Sequence, residues 1–186
     1  MTDDLPWRPE FLAALRLLGR ISDAMAARGL PRPVLVGGGA VEFYTGSAVM
    51  TGDIDLTTPV QAELEEEMLR AGFIRPRAPG HVTLGWLHPE LGLGFEVVGS
   101  RPMDGNVPAT QLVLVEPVIG AGEIVMLSIE DMIADRMGQY ASGTAPDMLE
   151  QARALYRLHL VEDRAYLDAR IRTESAGDYG IEHLDD

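Results

Sequence analysis

The sequence predicts an α/β or α+β fold, built as a mixed sheet with flanking helices and a helical C-terminal part. Three observations predict it. Apolar residues recur at helical spacing across residues 9–28, short apolar runs bounded by Gly and Pro fill the middle of the chain, and helical periodicity returns after residue 128. The 186 residues suit one compact domain, or a domain of about 120 residues with a helical extension, and suffice to bury a core.

The first element is an amphipathic helix over residues 9–28. Phe11, Leu12, Leu15, Leu18, Ile21 and Met25 form its apolar face, Pro9 suits the first turn and Gly29 the C-terminal cap. Pro33-Val34-Leu35-Val36 reads as a buried strand that enters a tight turn at Gly37-Gly38-Gly39, with a short helix from Ala40 to Tyr44 behind it. Asp53-Ile54-Asp55-Leu56-Thr57 is the second strand. Thr58-Pro59-Val60-Gln61 then offers an N-cap, a proline at the first helical position and a capping-box glutamine, for a helix that runs to about Ala71 and stops at Gly72.

Further strands are expected at residues 81–87, 93–98 and 111–115, and 123–127 is a fourth candidate. Ser128-Ile129-Glu130-Asp131 is a helix-start signature whose apolar face continues through Met132, Ile133, Met137 and Tyr140 to Ser142-Gly143. Helices over 146–160 and 163–173 follow. Residues 177–186 are polar and expected to be disordered or loosely docked. The chain thus divides into a core with its N-terminal helix at 1–127, a helical part at 128–174 and a polar tail at 175–186.

Composition removes several classes of function. No apolar run approaches the ~18 residues that span a bilayer, and Met1-Thr2-Asp3-Asp4 has neither the basic start nor the apolar stretch of a signal peptide, so a cytoplasmic location with no membrane partner is expected. The absence of cysteine excludes disulfides, thiolate zinc sites and cysteine nucleophiles, leaving oxygen or histidine to bind any metal. All 15 basic residues are arginine, which rules out a P-loop lysine or a Schiff-base lysine. A net charge of -14 disfavours extended contact with a nucleic-acid backbone unless arginines cluster.

The residues that carry chemistry lie in the second strand. Side chains two apart in a strand share a face, so Asp53 and Asp55 project together while Ile54 and Leu56 enter the opposite, buried side. Two converging carboxylates repel unless a cation or an arginine lies between them, and hard Mg²⁺ accepts such oxygen ligands. An exposed polar strand face is the other reading of D-x-D. The glycines at a strand-to-helix turn let a phosphate approach backbone N–H groups at a positive helix N-terminus, or else serve only a tight turn.

Val34-Leu35-Val36-Gly37-Gly38-Gly39 leading to Asp53-Ile54-Asp55-Leu56 resembles the signature of the nucleotidyltransferase superfamily: an apolar strand, Gly-Gly or Gly-Ser, then D-x-D or D-x-E. The resemblance implies that Gly37, Gly38 and Gly39 hold the triphosphate and that Asp53 and Asp55 hold Mg²⁺ or Mn²⁺. It also implies a third carboxylate on a later strand, where Leu93-Gly94-Phe95-Glu96-Val97-Val98 offers Glu96 as catalytic and metal-binding partner. A buried glutamate is costly without a partner, so Glu96 faces either solvent or a cation.

Ser128-Ile129-Glu130-Asp131-Met132-Ile133, with Asp135-Arg136 and Asp147, is similar to the helical part of small bacterial nucleotidyltransferase-like proteins, among them abortive-infection toxin relatives. The likeness therefore extends over residues 33–160. Arg136 is a candidate triphosphate partner on that basis, and equally an ion-pair partner of Asp135 or Glu130. The chain departs from the pattern at two places: Gly38 stands where many relatives have serine, and Met50-Thr51-Gly52 lacks the basic residue that toxin relatives carry before D-x-D.

The activity implied is metal-dependent transfer of a nucleoside monophosphate from a nucleoside triphosphate to an acceptor, which could be a small molecule, a protein or RNA. The alternative is a catalytically inactive protein of the same fold with a regulatory or binding role, and a third class is a ligand-binding α/β domain unrelated to nucleotides. A dinucleotide fingerprint fails because Glu42 stands where its third small residue belongs. His81 and His88, seven apart, lack metal-pair spacing and read as satisfied or exposed, and Met25, Met68, Met132 and Met137 read as core.

Overall fold

The computed structural model of the chain describes residues 5–75 and 85–185. Its order is α1 (Pro9–Ala27), β1 (Val34–Val36), α2 (Gly37–Thr45), β2 (Asp53–Thr57), α3 (Gln61–Arg70), β3 (Trp86–Leu87), β4 (Gly94–Gly99), β5 (Val113–Val115), β6 (Ile124–Met126), α4 (Ile129–Ala141), α5 (Met148–Leu158) and α6 (Arg164–Glu174). Short 3₁₀ turns at Pro102–Gly105 and Ala109–Gln111 separate β4 from β5, and a third at Ile181–His183 closes the chain. The α/β class is as expected. None of the described helices is long and apolar enough to cross a membrane.

The chain separates into two compact units, Met1–Met126 and Leu127–Asp186. The first holds a six-stranded mixed sheet in the order β3-β4-β2-β1-β6-β5. β1 is antiparallel to β2 and parallel to β6, and β2 is parallel to β4. Alternation along the strands puts Leu35, Ile54, Leu56, Phe95, Ile124 and Met126 on one face, and every one is fully buried. Phe11, Leu15, Leu18 and Met25 of α1 and Leu64 and Met68 of α3 are buried with them, each side chain contributing about 1.5–3 kcal/mol on leaving water. The other face of β2 carries Asp53, Asp55 and Thr57.

In the second unit α4 packs against α5 and α6. Ser128 caps α4 as its sequence signature predicts, its hydroxyl accepting the Asp131 N–H at 3.1 Å. Asp131, wholly buried, accepts from the Tyr166 hydroxyl at 3.0 and 3.1 Å, from Arg170 Nε at 2.7 Å and from Ser128 Oγ at 3.1 Å, which ties α6 to the start of α4. Burial first, then the charge of Asp131 and its hydrogen bond, push the Tyr166 hydroxyl up to about 12.

Three expectations are corrected, and a fourth is met over the residues described. Helix α2 begins at Gly37 rather than Ala40, so the three glycines form its first turn. Helix α3 begins at Gln61 and is not capped by Thr58. The Thr58 N–H bonds Gly99 O at 3.0 Å and its hydroxyl accepts the Val60 N–H at 3.2 Å, which carries the chain two residues further before helix starts. The tail is ordered: Leu184 is buried, His183 O accepts from Arg153 Nε and Nη2 at 3.1 and 3.0 Å, and Asp168 accepts the Ile181 N–H at 2.9 Å. Of the strand expected at 81–87, only Trp86–Leu87 is seen, and residues 81–84, with His81, lie outside the described residues.

Candidate active site

The site is built where β1 passes straight into α2. Val36 is extended and Gly37 adopts φ +60°, a left-handed conformation that glycine enters without steric cost. A Cβ at Gly37 would also overlap the Asp55 carboxylate, and one at Gly38 would lie 2.5 Å from Thr51 Oγ1. The glycines therefore make room for the second strand's acid and for the loop before it. As the first turn of a helix they also present backbone N–H groups that have no intrahelical acceptor, at the positive end of the helix dipole.

Val36 lies opposite Asp55 across β1–β2, and Asp55 lies beside Glu96 across β2–β4. Parallel neighbours at a strand spacing of about 4.8 Å bring those side chains together on one face. Asp53, one pleat earlier, completes the group: an oxygen from each of Asp53, Asp55 and Glu96 lies within 4.8 Å of the others. Asp53 is exposed and the other two half-buried. Unit charges at that separation repel by about 1 kcal/mol per pair in water and about 3–4 kcal/mol at an effective dielectric of 20, so the arrangement favours a bound cation. Three carboxylates are an all-oxygen donor set suited to a hard divalent ion, and the missing Cβ at Gly37 keeps the Asp55 oxygen clear.

A buried brace holds the loop that delivers Asp53. Glu42, on α2 and fully buried, accepts from Arg8 Nε at 2.7 Å, Arg8 Nη2 at 3.1 Å, Ser47 Oγ at 2.8 Å and the Thr51 N–H at 2.7 Å. Arg8 Nη2 also donates to Thr51 O at 2.6 Å, so both backbone groups of Thr51 are fixed. Thr51 Oγ1 in turn lies 3.3 Å from Asp53 Oδ1. Burial alone pulls the Glu42 carboxyl up, but the bonds from Arg8, Thr51 and Ser47 outweigh it and hold the group below its usual range. The segment before α1 is anchored on the same helix by Trp7, whose indole N–H donates to Phe43 O at 2.9 Å.

Sequence reasoning used Glu42 only to reject a dinucleotide fingerprint. A signal was present, since Glu42 lies three residues from both Gly39 and Thr45 on a stripe that is buried throughout. Its partner, 34 residues earlier, could not be read from spacing.

The remaining candidates are placed as follows. Arg136 sits on α4, buried, with Nε 3.0 Å and Nη2 2.8 Å from Asp135 Oδ2 and Nη1 3.2 Å from Met148 Sδ. Arg136 thus forms the expected ion pair with Asp135. His88 Nε2 lies 3.1 Å from Ala71 O, its Nδ1 accepts the Glu90 N–H at 3.2 Å and its ring meets Phe73 edge-on, so it is a satisfied structural histidine.

Neither a family model nor a curated protein matches the sequence. Solved structures do match the fold. The crystal structure of ANT(2″)-Ia in complex with adenylyl-2″-tobramycin aligns with a TM-score of 0.56 at 20% identity, over 88% of this chain and 98% of that one. The solution structure of the antibiotic-resistance factor ANT(2″)-Ia aligns with a TM-score of 0.54 at 19% identity, over 89% and 92%.

Proposed function

We propose that this chain, whose fold is that of the nucleotidyltransferases, moves a nucleoside monophosphate from a nucleoside triphosphate to a hydroxyl acceptor. The observation that carries the reading is the convergence of Asp53, Asp55 and Glu96 within 4.8 Å, beside a glycine-built helix start. In this reading Asp53, Asp55 and Glu96 hold Mg²⁺ or Mn²⁺, which when bound neutralises phosphate charge and favours departure of pyrophosphate.

The chain's own residues do the rest. The N–H groups of the Gly37-Gly38-Gly39 turn receive the terminal phosphates, and the Arg8–Glu42 brace keeps Asp53 in register. Glu96, on the strand beside Asp55, accepts the proton of the acceptor hydroxyl as its oxygen bonds to the α-phosphorus and the bond to the β-phosphate oxygen breaks. Arg136 remains a proposed triphosphate partner, with Asp135 orienting its guanidinium. The acceptor proposed is a cationic small molecule. The net charge of -14 would draw such a molecule in, and the similar ANT(2″)-Ia structure holds adenylyl-2″-tobramycin.

Ligand-linked stability tests the site. Mn²⁺ with a nucleoside triphosphate should raise the melting temperature, and the double substitution Asp53→Asn with Asp55→Asn should abolish the rise. An equal rise in the double variant would place the nucleotide elsewhere. No rise with any of the four common triphosphates would favour the inactive, regulatory role.

A further inference from the structure

A cavity of about 370 Å³ opens in the first unit at the end of the sheet where β1 begins, away from the glycine turn that follows Val36. Its floor is Val34 and Val125, which register places side by side, and Leu112 closes one flank. Pro31, Pro59 and Pro102 line the rest. Proline has a fixed φ and no N–H, so three of them make walls that are stiff and poor in backbone donors. The Thr57 hydroxyl beneath is closed to solvent and offers the cavity nothing. Polar recognition is left to the exposed Ser100 and Arg101 and to Arg32.

The two arginines differ. Arg32 is engaged by its own chain: Nη1 donates to Ser22 Oγ at 3.0 Å and to Asp23 Oδ1 at 2.5 Å, and Nη2 to Glu123 Oε2 at 2.8 Å. Arg101 has no hydrogen bond or ion pair among the described residues, and Asp104, three positions on, does not pair with it. In a chain of 29 acidic residues and 15 arginines, a guanidinium that meets no carboxylate, beside an apolar hollow, is open to an anion from outside. The turn after Arg101 is strained. Met103 and Asp104 take φ 45° and 54°, left-handed conformations that residues with a side chain rarely adopt, and Gly105 follows at φ 88°. Strain of this kind is found at ligand clamps. Gly105 also borders Arg101 closely, since a Cβ there would lie 3.4 Å from Arg101 Cδ and 3.8 Å from Nη1. The turn thus keeps Pro102 on the cavity wall and the guanidinium beside it.

We infer that this cavity is a second binding site, for a small apolar carboxylic acid whose hydrocarbon part lies on Val34, Val125 and Leu112 and whose carboxylate pairs with Arg101. The inference does not depend on the nucleotidyl-transfer reading, and the negative charge of Asp53, Asp55 and Glu96 would repel such an acid from their own site. The volume lies toward the lower end of small-ligand sites, about 300–1,000 Å³, which suits a single ring or a short chain. One unpaired guanidinium balances one charge and presents two parallel N–H groups, which fits a monocarboxylate.

The test uses acids and their uncharged counterparts. Benzoate, 3-phenylpropionate and hexanoate are titrated into the full chain with chelator at constant ionic strength, followed by NMR. Benzyl alcohol, 3-phenylpropanol and hexanol, with the same carbon skeletons, are titrated in parallel. At least one acid should saturate with a Kd of about 10 mM or tighter, the range open to a ligand of this size. It should bind about threefold to tenfold more tightly than its alcohol. Arg101→Gln, an exposed change, should remove that advantage and leave the affinity of the alcohol as it was. Val125→Phe should fill the cavity and abolish binding of both, and Leu112→Trp should do the same from the flank if the larger ring at position 125 unfolds the sheet. Asp55→Asn should leave binding unchanged. No saturable binding of any acid overturns the inference, as does an acid that binds Arg101→Gln, or a folded cavity-filling variant, as tightly as wild type. Binding lost in Asp55→Asn also overturns it, by moving the acid to the carboxylate cluster.

Discussion

Glu42→Gln removes one charge from the brace behind Asp53 and leaves the side-chain shape unchanged. The carboxylate is fully buried and accepts four hydrogen bonds, two from Arg8 and one each from Ser47 and the Thr51 N–H. Breaking a buried ion pair by removing one partner costs about 3–5 kcal/mol. Arg8 retains 25% side-chain exposure and can be partly rehydrated, so about 2–4 kcal/mol is the expected loss. At a urea dependence of about 2 kcal/mol/M the midpoint should fall by about 1–2 M. Both tryptophans, Trp7 and Trp86, lie in the first unit, so their fluorescence follows the part of the chain that contains Glu42. The pH dependence fixes the cause. The folded carboxyl titrates below its ordinary value of 4.5, so its stabilisation is complete above that pH and is lost as pH falls through the folded value. The gap between wild type and variant should therefore be full at pH 7 and close in acid. A midpoint within 0.3 M of wild type at pH 7, or a gap that persists in acid, would refute the reasoning.

Three other substitutions probe separate parts of the account. Gly37→Ala forces a Cβ into the Asp55 carboxylate and a left-handed backbone on alanine, and should cost about 1–2 kcal/mol and weaken Mn²⁺ binding measured by calorimetry, whereas Gly52→Ala, with open space around it, should do neither. Tyr166 should ionise near pH 12 in an ultraviolet phenolate titration, and Tyr166→Phe should delete that step. Because its folded value is raised from 10.0, the stability it contributes is complete below pH 10 and is lost as pH rises toward 12. Leu184→Ala should destabilise the second unit by about 2–4 kcal/mol and expose the 181–183 amides to hydrogen exchange, while unchanged exchange would mean the tail is not docked through this side chain.

Much of this was legible because it is local. The spacing of Phe11, Leu15, Leu18 and Met25 defines α1, the Ser128 signature defines the start of α4, and the alternation Asp53-Ile54-Asp55-Leu56 tells which side of β2 is buried. What the sequence could not convey is set by tertiary contacts. Consecutive glycines read as a turn, yet only Gly37 takes the left-handed conformation and α2 starts at once. The approach of Glu96 to Asp55 depends on β4 docking beside β2, which no periodicity reveals and which came from the family resemblance instead. The tail looked unstructured because few of its residues are apolar and its anchors are remote in sequence: Leu184 is buried, Arg153 holds His183 O and Asp168 holds the Ile181 N–H. Glu42 and Arg8 meet only after the fold has formed.

Transfer of label from an α-phosphate-labelled nucleoside triphosphate tests the central claim most directly. The purified chain is incubated with Mg²⁺, the labelled triphosphate and cell extract from the source, alongside Asp55→Asn shown by unfolding to be as stable as wild type. The account predicts label on an acceptor with the wild type, with a rate about a hundredfold or more lower in Asp55→Asn, because the side chain that shares a cation with Asp53 and Glu96 has lost its charge. Equal labelling by wild type and Asp55→Asn would contradict it.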